Sequence, residues 1–94
     1  MLQMTLIIMG KVQRVGFRYS VVDFVLANDL GLVGHVRNMP DGSVHVIAQG
    51  DIESLKELHR FCTKGPPRAE VREVTQDLIQ INKLDFSEFV ALSD

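Results

Sequence analysis

Leu32-Val33-Gly34-His35-Val36-Arg37-Asn38-Met39, then Pro40-Asp41-Gly42, then Ser43-Val44-His45-Val46-Ile47-Ala48-Gln49: two β-rich runs stand on either side of a three-residue turn signal. Proline presets φ, an aspartate carboxylate bonds nearby backbone, and glycine accepts positive φ. The stretch therefore predicts an antiparallel hairpin over 32–39 and 43–49. Towards the N-terminus, Phe17, Val21, Phe24 and Val25 recur at helical spacing, and Asn28-Asp29-Leu30-Gly31 closes that helix, with Gly31 expected just past its end. Before the helix, Thr5 to Val12 reads as a strand partly buried on both sides. Towards the C-terminus, Asp51 has the position of an N-cap, with Glu53 in the first turn, and Ile52, Leu55, Leu58 and Cys62 line one helical face. Lys64-Gly65-Pro66-Pro67 stops this helix, Ala69 to Leu78 reads as a fourth strand, and Phe86 to Val90 as a short last one.

The order β-α-β-β-α-β plus a short extra terminal strand predicts an α+β, ferredoxin-like sandwich, with a mainly antiparallel sheet and two helices on one face. A chain of 94 residues is expected to be one domain, residues 1–94. Ten Lys and Arg against twelve Asp and Glu give a net charge of −2, without the basic excess expected of a protein that coats nucleic acid or a membrane surface. One cysteine excludes an internal disulfide, and no Cys/His cluster has zinc-site spacing. Met1 to Met9 is apolar but too short to span a bilayer and has no cationic start. A cytoplasmic monomer is the expectation.

Charge distribution says more than net charge. No acid precedes Asp23, yet Lys11, Arg14 and Arg18 fall within eight residues, whereas residues 51–94 hold nine acids and six bases. A local cationic segment in an acidic chain suits a small anionic ligand better than a long polyanion. On charge alone, three solvated surface cations are the simpler reading. The same segment, Gly10-Lys11-Val12-Gln13-Arg14-Val15-Gly16-Phe17-Arg18, joins the first strand to the first helix. A turn there aims backbone N–H groups into one concavity beside the positive end of the helix dipole, which is an anion site. Arg18 adds a planar fork of donors. The spacing is not that of a nucleotide P-loop: five residues separate the glycines, and Phe17-Arg18 stands where Lys-Ser/Thr would hold Mg²⁺. By spacing alone, an anion cradle without a metal and a structural glycine turn are equally good readings.

Gly10 to Arg18 closely resembles the acylphosphatase signature G-x-V-Q-G-V-G-F-R. Gly34-His35-Val36-Arg37-Asn38 and Asp41-Gly42-Ser43-Val44 resemble that family's G-W-V-[RK]-N and D-G-S-V, and Gly50, Gly65-Pro66, Ala69 and Val71 also fall in its pattern. The resemblance covers nearly the whole chain. It implies hydrolysis of small-molecule acyl phosphates to a carboxylate and phosphate, with no cofactor or metal. Arg18 matches the phosphate-binding arginine and Asn38 the water-positioning asparagine. Gln13, Arg14, Val15, Gly16 and Phe17 match the loop whose backbone amides hold the phosphate. Three departures stand out: Arg14 in place of a loop glycine, His35 in place of tryptophan, and no arginine after Phe86-Ser87-Glu88-Phe89.

The remaining candidates read as structural. His35, His45 and His59 are dispersed, Cys62 is a small core residue on an apolar helix face, Arg37 is a solvated strand cation, and Asp41 with Ser43 is turn chemistry. The competing function is a non-catalytic anion-binding module derived from an acylphosphatase, for which phosphate affinity alone would not require Asn38. RNA binding on the sheet needs aromatics in the central strands, and 6–9 and 44–49 contain none.

Overall fold

In the computed structural model, which describes residues 1–93, the elements follow the expected order: β1 (Leu2–Lys11), α1 (Phe17–Ala27), β2 (Val33–Asn38), β3 (Val44–Gly50), α2 (Ile52–Lys64), β4 (Glu70–Gln80) and β5 (Phe89–Ala91). They form an α+β, ferredoxin-like arrangement with one five-stranded sheet in the order β4-β1-β3-β2-β5. Neighbouring strands are antiparallel except β2 and β5, which run parallel.

Period-two patterning explains the layering. Met4, Leu6 and Ile8 of β1, Val36 of β2, and Val44, Val46 and Ala48 of β3 point to one face. There they meet Phe17, Val21 and Val25 of α1 and Leu55, Leu58 and Cys62 of α2, all buried. Burial pushes the Cys62 thiol up to about 12, so it stays protonated and acts as a small apolar group. Asp51 caps α2 as expected, its carboxylate accepting the Ser54 N–H at 2.9 Å.

Four expectations shift. β1 starts at Leu2 and not Thr5, because residues 2–4 are paired on both sides, with 48–50 of β3 and 78–80 of β4. α1 ends at Ala27, four residues before the glycine expected to terminate it. Asp29 takes the left-handed conformation (φ 50°), the Leu30 N–H bonds the Val25 carbonyl, and the Asp29 N–H bonds the Leu26 carbonyl. Ile52 is 36% exposed because the first residue of α2 lies at the margin of the core. The last strand begins at Phe89, not Phe86.

Phe86 is occupied elsewhere. Residues 81–88 cross from β4 to β5 over the sheet face opposite the helices, where His35 and Phe86 pack edge to face at 5.3 Å. Gln49, fully buried on the same face, accepts the Asp85 N–H at 2.8 Å and donates to the Asp85 carboxylate at 2.9 Å and to the Gln3 amide oxygen at 2.8 Å. This strap leaves His35 Nδ1 buried with no hydrogen-bond partner among the described residues. Burial first, and the Arg37 guanidinium second, hold the His35 pKa below its ordinary 6.5.

The folded state therefore binds fewer protons at His35 than the unfolded chain. Its contribution to stability is complete above pH 6.5 and is lost as pH falls below that value. We expect the urea midpoint to fall between pH 7 and about 5.5, and to fall less in His35→Phe. Equal slopes in the two proteins would show that His35 is not the group responsible.

Candidate active site

The loop between β1 and α1 is shaped by what it buries. Val12, Val15 and Phe17 are in the core, while Arg14 and Gly16 are exposed. The step of three from Val12 to Val15 breaks the period of two that an extended strand would keep, and the exposed Arg14 and Gly16 both take left-handed φ, 62° and 78°. The strand is bent before this point. Register with β4 slips between Met9 and Gly10, and Gly10 (φ 130°) lies so close to the Glu70 carbonyl that a Cβ there would collide with it. Arg14, which stands where the resembled pattern has glycine, thus takes a backbone conformation that glycine adopts freely.

Gly16 is the N-cap of α1 with no capping side chain, and the first turn carries no acid. The first bond of the helix is from the Ser20 N–H to the Gly16 carbonyl, 3.0 Å. Among the described residues, the N–H groups of Val15, Gly16 and Phe17 donate to no protein acceptor. The N-terminal end of α1 is thus a point of partial positive charge, to which the helix dipole adds.

That point is a hollow of about 180 Å³ lined by Val12, Arg14, Gly16, Phe17, Arg18, Tyr19 and Asn38. Asn38, half-buried at the end of β2, is brought there from the far side of β3. Arg18 is half-buried, its Nη1 donates to the Leu92 carbonyl at 2.6 Å, and its guanidinium carbon lies 5.9 Å from the centre of the Tyr19 ring. The structure thus gathers Arg14, Gly16, Phe17, Arg18 and Asn38 around one cavity. Val15 does not line it, and its side chain is in the core. Gln13 points elsewhere: its Nε2 donates to the Met39 carbonyl at 2.8 Å and the Ser43 carbonyl at 3.0 Å.

Larger hollows lie between α2 and β4 (about 520 Å³) and between α1 and α2 (about 760 Å³). Neither is lined by any residue from 10 to 18 or by Asn38, and both are mainly apolar, so size does not mark the chemistry here. Beside Asn38, Asp41 accepts from the Ser43 hydroxyl at 2.6 Å and the Ser43 N–H at 2.9 Å. These bonds hold the exposed carboxyl below its ordinary value, and they are the expected turn chemistry. The Leu92 carbonyl on Arg18 had no signal in the sequence, because a main-chain acceptor carries no residue identity.

Three comparisons with known proteins give one family. The Acylphosphatase family model matches residues 4–90. A protein named acylphosphatase from Trichormus variabilis is 51% identical over 65 residues, 69% of this chain and 62% of that protein. For such first relatives the aligned part is thus less than two thirds of their length. The acylphosphatase of Marinobacter nauticus is 43% identical over 84 residues, 89% of this chain and 88% of that one. The crystal structure of acylphosphatase from Bacillus subtilis superposes with a TM-score of 0.87 at 30% identity, covering 98% of this chain and 99% of that one. The site motifs, the sheet order and these matches agree: the chain belongs to the acylphosphatase family.

Proposed function

We propose that residues 1–94 act as one catalytic unit that hydrolyses acyl phosphates to a carboxylate and inorganic phosphate. The observation that carries this reading is that Arg18 and Asn38, from different elements, line the same small hollow as Gly16 and Phe17, whose N–H groups have no acceptor among the described residues. The phosphate would sit on the amides of residues 13–17 and against the Arg18 guanidinium, which meet charge on its oxygens. The Asn38 amide is too weak a base to take a proton, but its oxygen and NH₂ can orient a water in line with the leaving group. Water attacks phosphorus, the bond from phosphorus to the acyl oxygen breaks, and the water's proton passes to a phosphate oxygen. The departing carboxylate has a conjugate-acid pKa of about 4, so it needs no general acid. What remains is positioning and charge stabilisation, which this site can supply without a metal. The lack of a basic excess at net charge −2 supports a diffusible small molecule over nucleic acid or a membrane surface. The lone Cys62 supports the reducing cytoplasm, and we take the unit to act as a monomer.

Benzoyl phosphate should be hydrolysed equally well with and without EDTA, and p-nitrophenyl phosphate should be nearly inert. Loss of turnover in EDTA with recovery on Mg²⁺ would overturn the mechanism. Phosphate binding without turnover would favour an anion-binding module.

Arg18→Ala should both weaken inorganic phosphate and lower kcat/KM by roughly 10²–10³-fold, because its charge acts in ground and transition states. Asn38→Ala should lower kcat by roughly 10²-fold and leave phosphate affinity nearly intact. An equal rise in the phosphate Kd of both variants contradicts this division of roles.

Arg14 combines a strained backbone with a charge at the rim of the hollow. Arg14→Gly should relieve left-handed strain and stabilise the fold by roughly 0.5–1 kcal/mol, after the greater unfolded-state freedom of glycine is subtracted. It should also raise KM for acetyl phosphate, more at low than at high ionic strength. An unchanged salt dependence with higher kcat would mark Arg14 as a tolerated defect.

A further inference from the structure

Gln13 lies inside the loop that matches the signature, but its side chain is turned away from the hollow. Its Nε2 faces two main-chain oxygens, Met39 at 2.8 Å and Ser43 at 3.0 Å. Only an NH₂ can serve two carbonyls at once, so the amide orientation is determined by its partners. Both acceptors belong to the turn that closes the β2–β3 hairpin, and Met39 directly follows Asn38. The same two oxygens hold the turn itself: Ser43 accepts the Met39 N–H at 2.9 Å, and Met39 accepts the Gly42 N–H at 3.0 Å. One side chain from the β1–α1 loop therefore completes the hydrogen bonding of the turn next to Asn38.

Two rigid parts meet at the hollow. The loop is anchored by Val12, Val15 and Phe17 in the core, and Asn38 by its pairing with Val44. Apolar packing is nondirectional and sets the approximate separation of these parts. The angle between them needs directional contacts, and the paired Gln13 bonds supply such contacts across the gap. From this we infer that Gln13 is a positioning residue, which sets the placement of Asn38 relative to the cradle formed by residues 14–18. The inference rests on the proposed water-orienting role of Asn38. A misplacement of about 1 Å at such a site costs on the order of 10²-fold in rate, so a clamp of this kind affects turnover more than binding.

Gln13→Met keeps the length and removes both donors. With benzoyl phosphate, kcat should fall by roughly 10–100-fold, while the inhibition constant of inorganic phosphate changes by less than about 3-fold. The decisive measurement is the cycle with Asn38→Ala. In that background Gln13→Met should lower kcat by less than about 3-fold further, because the group it positions is gone. If Gln13→Met does not fold, Gln13→Glu keeps the side-chain shape, sets a carboxylate against two carbonyls, and is carried through the same cycle. Its kcat relative to wild type should recover as pH is lowered and the carboxyl gains a donor proton. The same fold-loss in both backgrounds, an unchanged kcat in the single variant, or a phosphate inhibition constant that rises in step with the fall in kcat overturns the proposal. An Asn38→Ala variant of unaltered kcat overturns the water-orienting role and the Gln13 inference together. Additive losses with the Asn38→Ala effect intact overturn the Gln13 inference alone.

Discussion

Burial of Val12, Val15 and Phe17 at one corner of the core is the constraint on which the site depends. Inward side chains at 12, 15 and 17 do not keep a strand's period of two, and the chain between them turns through left-handed φ at Arg14 and Gly16. That backbone leaves the N–H groups of Val15, Gly16 and Phe17 unused by the fold and next to the N-terminus of α1. Hydrophobic burial thus provides the energy that holds unsatisfied donors in place, which is what an anion site requires before any anion arrives.

The rest of the fold brings distant groups to that corner. β3 pairs with both β1 and β2, so Asn38, at the end of β2, reaches the hollow from across β3. Gln13 spans the two parts by bonding the turn carbonyls, and Arg18 is steadied from a third direction by the Leu92 carbonyl just beyond β5. β5 has only three residues, so its place at the sheet edge also relies on what precedes it. The 81–88 strap is tied to the sheet by Gln49–Asp85 and by His35–Phe86, and it leads directly into β5. A side chain on the face away from the helices is in this way mechanically linked to the arginine of the site.

His35 and Arg14 show how departures from a pattern are accommodated. His35 still packs edge to face with Phe86, but one buried ring nitrogen has no partner among the described residues and the pKa is depressed. Arg14 keeps the left-handed backbone of a glycine position at a cost of about 1–2 kcal/mol, small beside a typical domain stability of roughly 5–15 kcal/mol. Neither change removes a donor from the hollow.

The sequence by itself determined the order of elements, the hairpin, the N-cap at Asp51 and the residue types of the site, because these depend on local periodicity, turn chemistry and short motifs. Its likeness to a family pattern also singled out Gly10 to Arg18 and Asn38, several of which meet at the hollow. Only the tertiary structure decided where the Gln13 amide points, which carbonyl holds Arg18, where the last strand begins, and that Asp29 and not Gly31 ends α1. Each of these depends on a partner distant in sequence or on a main-chain atom. Such partners leave no periodicity to read, and a backbone carbonyl is the same in every residue.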